Sequence, residues 1–326
     1  GQMVEQAVIA GLLSVGCQPI LCGVLPTPSI QVMVSHLNAV GGIAITASHN
    51  PMSWNAMKFI NSNGMFLNNI EAREVLDIYN QENIRYISEE QCRSIKFRND
   101  AFDVHQQRIL KQIDTAAIKK RKFKVAMDCA NGAGAPYSQD FLESLGCEVV
   151  AIHTETDGIF RRQPEPTPDA LTKLEEVVKE HRCDIGFAQD PDADRLVLVD
   201  NLGKALNENY TLALAVLHLT RNDDSPVCVN LATSKMIEDI CRSHGNELRY
   251  TKIGEINVSS DMMKCGAKVG GEANGGVIWP AIHPCRDSFG GMALILELLA
   301  PQEQSIAQII DTLPKYYFGS IKLPCT

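Results

Sequence analysis

A short run of alternating aspartates carries the strongest chemical signal in the sequence. Asp190, Asp192 and Asp194 are spaced two residues apart in the stretch Asp-Pro-Asp-Ala-Asp-Arg, which ends at Arg195. Carboxylates this close repel one another unless a cation lies between them. Because hard oxygen ligands suit Mg²⁺ or Ca²⁺, the run predicts a divalent metal site. Arg195 is expected either to pair with one of the aspartates or to hold a phosphate.

The sequence disfavours two other interpretations of this run. An EF-hand calcium loop needs Gly at its sixth position and Glu at its twelfth, where this chain has Arg195 and Asn201. A solvated acidic turn is the bland alternative. The apolar stretches on both sides, DIGFAQ and RLVLVD, are typical of strands and disfavour it.

A second candidate is a serine at the end of an apolar stretch. Ser48 lies in Thr-Ala-Ser-His-Asn-Pro at 46–51, directly after GGIAI. The Asn-Pro step restrains the following turn. The Ser48 hydroxyl could act as a nucleophile or phosphoryl carrier if another group activates it. It could instead only cap a strand-to-turn junction, and His49 beside it is either a general acid/base or a hydrogen-bonded turn residue.

A third candidate is the glycine-rich stretch 270–276, which contains Glu272 and Asn274 among four glycines. Glycines let the backbone approach a ligand closely. A carboxylate and an amide together accept from and donate to neighbouring hydroxyls, as a sugar presents them. A dinucleotide turn is disfavoured because the G-x-G-x-x-G spacing is absent. A plain flexible turn stays open.

The elements that must position these loops alternate between strand-like and helical patterns along the chain. This alternation predicts an α/β fold, with consecutive three-layer α/β sandwich domains and mixed, mainly parallel sheets. Ligands of such sheets bind beyond the carboxyl ends of the strands, where the three candidate loops fall. Breaks in composition place domains at 1–98, 99–201 and 202–312, followed by a connector at 313–326.

Composition excludes several classes of protein. The 326 residues are 45% hydrophobic and carry a formal net charge of −9, and KKRK at 119–122 is the nearest approach to a basic block. These values disfavour a nucleic-acid partner, and no apolar run is long enough for a membrane span. The eleven cysteines are scattered without a C-x-x-C pair. They are therefore interpreted as free thiols of a cytoplasmic protein.

Taken together, the loops resemble those of the α-D-phosphohexomutase superfamily. Its members carry, in this order, a phosphoserine loop, an aspartate metal loop and a sugar loop. Here these are TASHNP 46–51, DPDADR 190–195 and GEANGG 271–276, with subsidiary matches at LPTPS 25–29, NAMKF 55–59, DCANGAG 128–134 and TKIGEINV 251–258. The resemblance covers essentially the whole chain. Its sugar loop and the stretch that follows look most like those of phosphoglucosamine mutases.

The resemblance implies a role for each candidate residue. Ser48 matches the phosphorylated serine, whose phosphate would complete the coordination of Mg²⁺. Lys58 and His49 match groups thought to act as acid/base or to position the phosphate, and Arg195 matches the arginine after the metal loop. The expected metal ligands are Ser48, Asp190, Asp192 and Asp194; the expected substrate-binding residues are Glu272, Asn274 and, more weakly, Lys252.

The reaction implied is the interconversion of a sugar 6-phosphate and 1-phosphate through a bound bisphosphate, with glucosamine phosphate as the expected substrate. Phosphoglucomutase or phosphomannomutase activity is the alternative. A dehalogenase-like phosphatase with Asp190 or Asp192 as nucleophile and a non-catalytic phosphosugar-binding protein are the rivals. The expected partners are hexose or hexosamine mono- and bisphosphates, and a homodimer is left open.

Family members also have an earlier glycine- and arginine-bearing segment and a fourth domain with a phosphate-binding loop. Neither is found in these 326 residues. The resemblance therefore predicts that the sequence is a fragment of a longer protein, containing three of four domains with the first of them incomplete.

Overall fold

The computed structural model describes residues 1–50 and 53–317. Pro51, which ends the serine loop, and residues 318–326 of the predicted connector lie outside the described residues. Within the described part, none of the helices is long and apolar enough to cross a lipid bilayer.

The N-terminal part contains two small two-stranded sheets with helices around them. Parallel β1 and β4 form one sheet, and antiparallel β2 and β3 form the other. Helix α2 packs on β2 through a small core that includes Val34, Ala44 and Ile60. The elements are α1 (Gln2–Ser14), β1 (Ile20–Leu21), α2 (Thr27–His36), β2 (Gly41–Ile45), β3 (Met57–Asn61), α3 (Asn69–Gln81) and β4 (Lys96–Phe97).

The middle part is built on a four-stranded sheet in the order β6-β5-β7-β8, in which only the β7–β8 pair is antiparallel. Strands β7 and β8 are buried at every position, so they read as continuous apolar runs. Helix α7 buries Leu174, Val177 and Val178, which share one helical face. The elements are α4 (Ala101–Leu110), α5 (Thr115–Arg121), β5 (Lys124–Asp128), α6 (Ser138–Ser144), β6 (Glu148–Ile152), α7 (Thr172–His181), β7 (Ile185–Gln189) and β8 (Leu196–Val199).

The C-terminal part holds a five-stranded sheet in the order β10-β9-β11-β12-β13. Strands β9, β10 and β11 are parallel, whereas β12 and β13 continue the sheet as antiparallel hairpins. The elements are α8 (Asn209–Leu219), β9 (Val227–Asn230), α9 (Lys235–His244), β10 (Leu248–Thr251), α10 (Glu255–Cys265), β11 (Val269–Glu272), β12 (Gly276–Trp279), β13 (His283–Arg286), α11 (Ser288–Leu299) and α12 (Ile306–Thr312).

The predicted fold class is confirmed: the sheets are mixed, and parallel strand pairs outnumber antiparallel ones. The alternating pattern did not predict β3, β4, β10, β12 or β13. Strands β3, β12 and β13 pair antiparallel with their neighbours, which requires no intervening helix. Strand β4 is exposed and β10 is only partly buried, so neither is a continuous apolar run. The domain limits at 98 and 201 stay a prediction, and we keep them as the proposed division.

Candidate active site

The aspartate loop is a tight turn between antiparallel β7 and β8. All three carboxylates are buried, and each offers an oxygen within 4.8 Å of the other two. The backbone reverses at Ala193, whose φ of +56° lies in the left-handed region. Asp190 stabilises the turn, because its Oδ1 accepts hydrogen bonds from the backbone N–H groups of Asp194 and Arg195, each at 3.1 Å. The three carboxylates that are spaced two residues apart in the sequence thus lie close together in the structure.

Burial and neighbouring charges shift the pKa values of Asp190 and Asp192 in opposite directions. Burial, together with the charges of Asp192 and Asp194, raises the pKa of Asp190 well above its ordinary value. Burial acts in the same direction on Asp192, but the nearby ammonium of Lys58 outweighs it and lowers the pKa of Asp192. Without a bound cation, the fold therefore favours the protonated form of Asp190 and the charged form of Asp192.

The donor set fits a divalent cation. Asp192 Oδ1 and Asp194 Oδ1 are buried oxygens that find no hydrogen-bond partner among the described residues. Buried carboxylate oxygens of this kind are costly unless they are paired or coordinate a metal. A hard cation between the three carboxylates would satisfy both oxygens. The cluster could therefore bind a metal ion.

The serine lies against this cluster. Ser48 Oγ is 3.4 Å from Asp190 Oδ2 and 3.4 Å from His49 Nδ1. Ser48 adopts φ +50°, a strained value for a residue with a side chain, and its backbone N–H donates to Thr46 Oγ1 at 2.9 Å. Strain of this kind is often kept at functional sites, where the fold must aim a side chain. Here it places the hydroxyl beside a carboxylate 142 positions along the chain.

Lys58 reaches the same cluster from β3. Its Nζ donates to Asp192 Oδ2 at 2.5 Å and to Asp194 Oδ2 at 3.3 Å. Burial alone would lower the pKa of Lys58, but the two aspartates outweigh it and raise that pKa above its ordinary value. Lys58 is therefore held as a cation that faces the two carboxylates.

His49 is in a different electrostatic state. Its Nδ1 lies 3.2 Å from Arg195 Nη2, and burial and the Arg195 charge lower the pKa of the imidazole. Because a guanidinium can only donate hydrogen bonds, Nδ1 carries no proton in this contact. Arg195 also donates to Glu165 Oε1 at 3.2 Å and lies 3.8 Å from Asp190 Oδ2. His49 is thus a neutral ring beside Ser48, and its Nδ1 lone pair accepts from Arg195.

The glycine-rich loop presents one buried and one partly buried polar side chain. Glu272 Oε1 accepts from Asn230 Nδ2 at 2.9 Å and from the Gly254 backbone N–H at 2.8 Å. Asn274 is half-buried, and its Oδ1 accepts from the backbone of the same loop. Lys252 is exposed on the turn before α10, and its side chain makes no hydrogen bond or ion pair within the described ranges. Lys252 is therefore not brought into the cluster.

Arg286 is a site residue that the sequence analysis missed. Its guanidinium contacts a different carboxylate through each nitrogen: Nη2 donates to Asp194 Oδ2 at 2.6 Å, Nη1 lies 3.2 Å from Glu272 Oε2, and Nε donates to Glu255 Oε2 at 3.0 Å. The residue is buried at the end of β13. One cation thus ties the metal loop to the glycine-rich loop. The only signal in the sequence was an arginine within the apolar stretch that follows the loop.

Backbone contacts hold the two loops in register. The Leu196 N–H donates to the Gly275 carbonyl at 3.1 Å. Gly275 has φ +81°, and a Cβ added there would meet the Leu196 carbonyl oxygen at 2.3 Å. Only glycine allows this approach. On the other side of the metal loop, Ala133 N–H donates to the Pro191 carbonyl at 2.7 Å. The glycine at 275 therefore serves packing between the loops as well as the turn.

We expect Arg286→Met to destabilise the fold by about 3–5 kcal/mol, because three buried carboxylates would lose their shared cation. Arg286→Lys keeps the charge but cannot reach three carboxylates at once. For this variant we expect a smaller loss of stability and a fall in kcat/KM of about 10- to 100-fold. Chemical denaturation and steady-state kinetics measure the two effects. Arg242→Lys on exposed α9 is the matched control, and an Arg286→Lys enzyme as active as the parent would contradict the positioning role.

Family comparisons agree with this architecture. The family models for phosphoglucomutase/phosphomannomutase alpha/beta/alpha domains I, II and III match residues 1–85, 103–203 and 207–317, in that order. The fold and the three converging loops define the class of α-D-phosphohexomutases, which are intramolecular phosphotransferases of the isomerase class. The chain belongs to the phosphoglucomutase/phosphomannomutase family of these enzymes.

Individual relatives show the same likeness. The chain is 37% identical to a phosphoglucomutase/phosphomannomutase of Thermococcus kodakarensis over 97% of its length and 70% of the relative's. It is 32% identical to a phosphoglucosamine/phosphogalactosamine mutase of Sulfurisphaera tokodaii over 99% of its length and 72% of the relative's. These coverages leave part of each relative unmatched.

Solved structures confirm the fold. A phosphoglucomutase/phosphomannomutase family protein from Burkholderia thailandensis superposes with a TM-score of 0.83 at 25% identity, covering 97% of this chain and 69% of that one. Aspergillus fumigatus N-acetylphosphoglucosamine mutase, solved with GlcNAc-6P and magnesium, gives a TM-score of 0.54 at 15% identity, covering 88% and 76%. The second likeness concerns the fold alone.

Proposed function

We propose that the protein interconverts glucosamine 6-phosphate and glucosamine 1-phosphate, with Ser48 as the phosphoryl carrier. The observation that carries this proposal is the convergence of the serine loop and the aspartate loop, with Ser48 Oγ 3.4 Å from Asp190 Oδ2. Phosphorylated Ser48 would transfer its phosphoryl group to a sugar hydroxyl, and the phosphate at the other position would return to Ser48. The Ser–O–P bond breaks as the sugar O–P bond forms.

The polar residues around Ser48 divide the remaining work. We propose that His49 accepts the proton of the attacking hydroxyl at Nδ1 when Arg195 releases that atom, and returns it in the reverse step. Lys58 stays protonated and stabilises negative charge on the transferring group. Arg195 holds the imidazole in place and offers its remaining donors to a phosphate. These roles are proposals from the geometry and charge state of each group.

We propose Mg²⁺ as the resident metal, held by Asp190, Asp192, Asp194 and the phosphate on Ser48. When bound, it would act as a Lewis acid that neutralises charge on the phosphoryl oxygens. The two unpartnered carboxylate oxygens support this assignment. So do the exclusively oxygen donors, which suit a hard cation.

Glu272 and Asn274 are the proposed sugar-binding pair. Glu272 Oε1 already accepts hydrogen bonds from Asn230 and Gly254, whereas Oε2, which faces Arg286, keeps a lone pair for a sugar hydroxyl. Arg286 fixes the orientation of this carboxylate through its contact with Oε2. Asn274 is half-buried at the tip of the same turn and offers an amide donor. We propose that Lys252 contacts the substrate only if the turn before α10 changes its conformation.

Support for glucosamine comes from the sugar loop and from the Sulfurisphaera relative, while the Thermococcus relative supports glucose or mannose. We expect kcat/KM for glucosamine 6-phosphate to exceed that for glucose and mannose 6-phosphates by at least about 10-fold, an amount that one or two hydrogen bonds can supply. Parallel assays with the matching bisphosphate as activator measure this ratio. A preference for either neutral sugar would transfer the assignment to phosphoglucomutase or phosphomannomutase.

A sugar-phosphate phosphatase and a non-catalytic binding protein are the remaining alternatives. A phosphatase would leave the serine and glycine-rich loops without a role, and it would release inorganic phosphate without forming the 1-phosphate isomer. A binding protein would retain the sugar phosphate unchanged. Measuring both phosphate release and isomer formation in the same assays separates the three functions. The homodimer stays a prediction.

A further inference from the structure

Outside the candidate active site, two cysteines face each other between a strand and a helix. Cys228 lies on β9 and Cys265 is the last residue of α10, and their sulfur atoms are 3.4 Å apart. No other pair of described cysteines makes a sulfur–sulfur contact of this kind. An S–S bond is about 2.05 Å long, so a small rotation of the two side chains would bring the sulfurs into bonding distance.

The surroundings of the pair differ on its two sides. Cys228 is completely buried, against a small core that contains Val258 and Met262. Cys265 is only partly buried, at the end of a helix that Gly266 closes with φ +74°. An oxidant from solution therefore meets Cys265 first, and Cys228 stands behind it as the resolving thiol.

We propose that Cys228 and Cys265 are a redox-active dithiol that closes to a reversible disulfide when the protein meets a peroxide. The Cys265 thiolate attacks one peroxide oxygen, the O–O bond breaks, and a sulfenic acid forms. The hydroxide that leaves takes up the proton that Cys265 lost on ionisation, which gives one water. Cys228 then attacks the Cys265 sulfur, the S–O bond breaks, and a second water leaves. The two sulfurs together lose two electrons, which reduce the peroxide to two waters.

A metal is the competing occupant of this pair. Asp261 Oδ2 lies 3.7 Å from Cys228 Sγ, and two thiolates and a carboxylate could bind zinc. However, Asp261 is already paired with Arg249, whose Nε donates to it at 2.8 Å. The dithiol interpretation requires no displacement of Arg249.

The disulfide would join two elements that support the glycine-rich loop. Cys228 is two residues before Asn230, the partner of Glu272, and α10 begins at Glu255, the partner of Arg286. The bond would close a loop between residues 37 positions apart. Restricting the unfolded chain in this way is expected to raise the Tm of the oxidised protein by roughly 5–10 °C over the reduced protein.

The test uses the purified, reduced protein and hydrogen peroxide. After oxidation, free thiols are blocked with N-ethylmaleimide, and non-reduced digests are analysed by mass spectrometry. The expected product is one cross-linked peptide pair containing Cys228 and Cys265, lighter by two hydrogen atoms and restored by dithiothreitol. Cys228→Ala and Cys265→Ser should each remove the cross-link and the rise in Tm. Cys241→Ser, a buried thiol on α9 of the same sheet unit, is the matched control and should keep both.

Two results would overturn the proposal. One is full alkylation of Cys228 and Cys265 after oxidation, or a cross-link through other cysteines. The other is stoichiometric zinc in the purified, reduced protein that disappears in the Cys265→Ser variant, which would assign a metal site instead. Neither result affects the proposed mutase reaction, since Ser48 and the aspartates take no part in this chemistry.

Discussion

Replacing Ser48 by alanine is expected to lower kcat for the sugar phosphate by about 10⁴-fold or more, because the variant has no atom that can carry the phosphoryl group. The structure predicts little loss of stability, since the contacts of the hydroxyl with the described residues are long, at 3.4 Å to His49 and to Asp190. Steady-state kinetics in the whole protein, with glucosamine 6-phosphate and its bisphosphate, measure the effect.

Two controls make this result interpretable. Ser53→Ala changes an exposed serine a few residues along the same loop and should retain full activity. Ser48→Gly relieves the positive φ at this position and should fold at least as well as the parent while staying inactive. Intact-mass analysis should show one phosphoryl group on the parent after incubation with bisphosphate and none on either Ser48 variant. Ordinary turnover by Ser48→Ala would remove the phosphoserine from the mechanism.

Replacing Asp190 by asparagine is expected to lower kcat/KM by on the order of 10³-fold, the scale of losing one charged group that stabilises the transition state. The asparagine Oδ1 can keep both hydrogen bonds from the Asp194 and Arg195 backbone. Its neutral amide cannot replace a carboxylate ligand. Activity at saturating Mg²⁺ should therefore stay low, although the loop keeps its shape.

Although Asp190→Asn is expected to lose activity, its thermal stability without metal should be equal to or higher than that of the parent. A carboxyl whose pKa is raised on folding destabilises the folded protein at pH values above its pKa in the unfolded chain. This loss of stability grows as the pH rises toward the pKa in the folded protein. Asp190 is such a group, raised by burial and by its two neighbours. Without added metal, the Tm of Asp190→Asn at neutral pH should equal or exceed that of the parent. Added Mg²⁺ should raise the Tm of the parent but not that of the variant.

A matched control and a contrary result complete this prediction. Asp169→Asn alters an exposed aspartate in the same sheet unit and should leave the activity and the Mg²⁺ response unchanged. If Asp190→Asn lost Tm and regained activity at high Mg²⁺, Asp190 would be a structural residue of the turn. Thermal unfolding with and without Mg²⁺, read beside the kinetics, separates the two roles.

The sequence was most informative where chemistry and local backbone coincide. Asp190, Asp192 and Asp194 are spaced closely enough that their convergence follows from one tight turn, and this part of the site was predicted. The α/β class followed in the same way from alternating apolar periods. Strands β3, β12 and β13 were missed because antiparallel neighbours need no helix between them, and β4 and β10 were missed because neither is a buried apolar run.

Long-range partners could not be read from any local pattern. Ser48 meets Asp190 across 142 residues, and Arg286 reaches Asp194 across 92. Whether Lys252 joins the cluster was equally undetermined, and the structure leaves it exposed on its turn. The amino-acid sequence by itself determined which groups could do chemistry and which short loops would hold them. Only the tertiary structure decided which of them meet, because packing of whole sheets and helices, and not residue spacing, sets the distance between side chains remote along the chain.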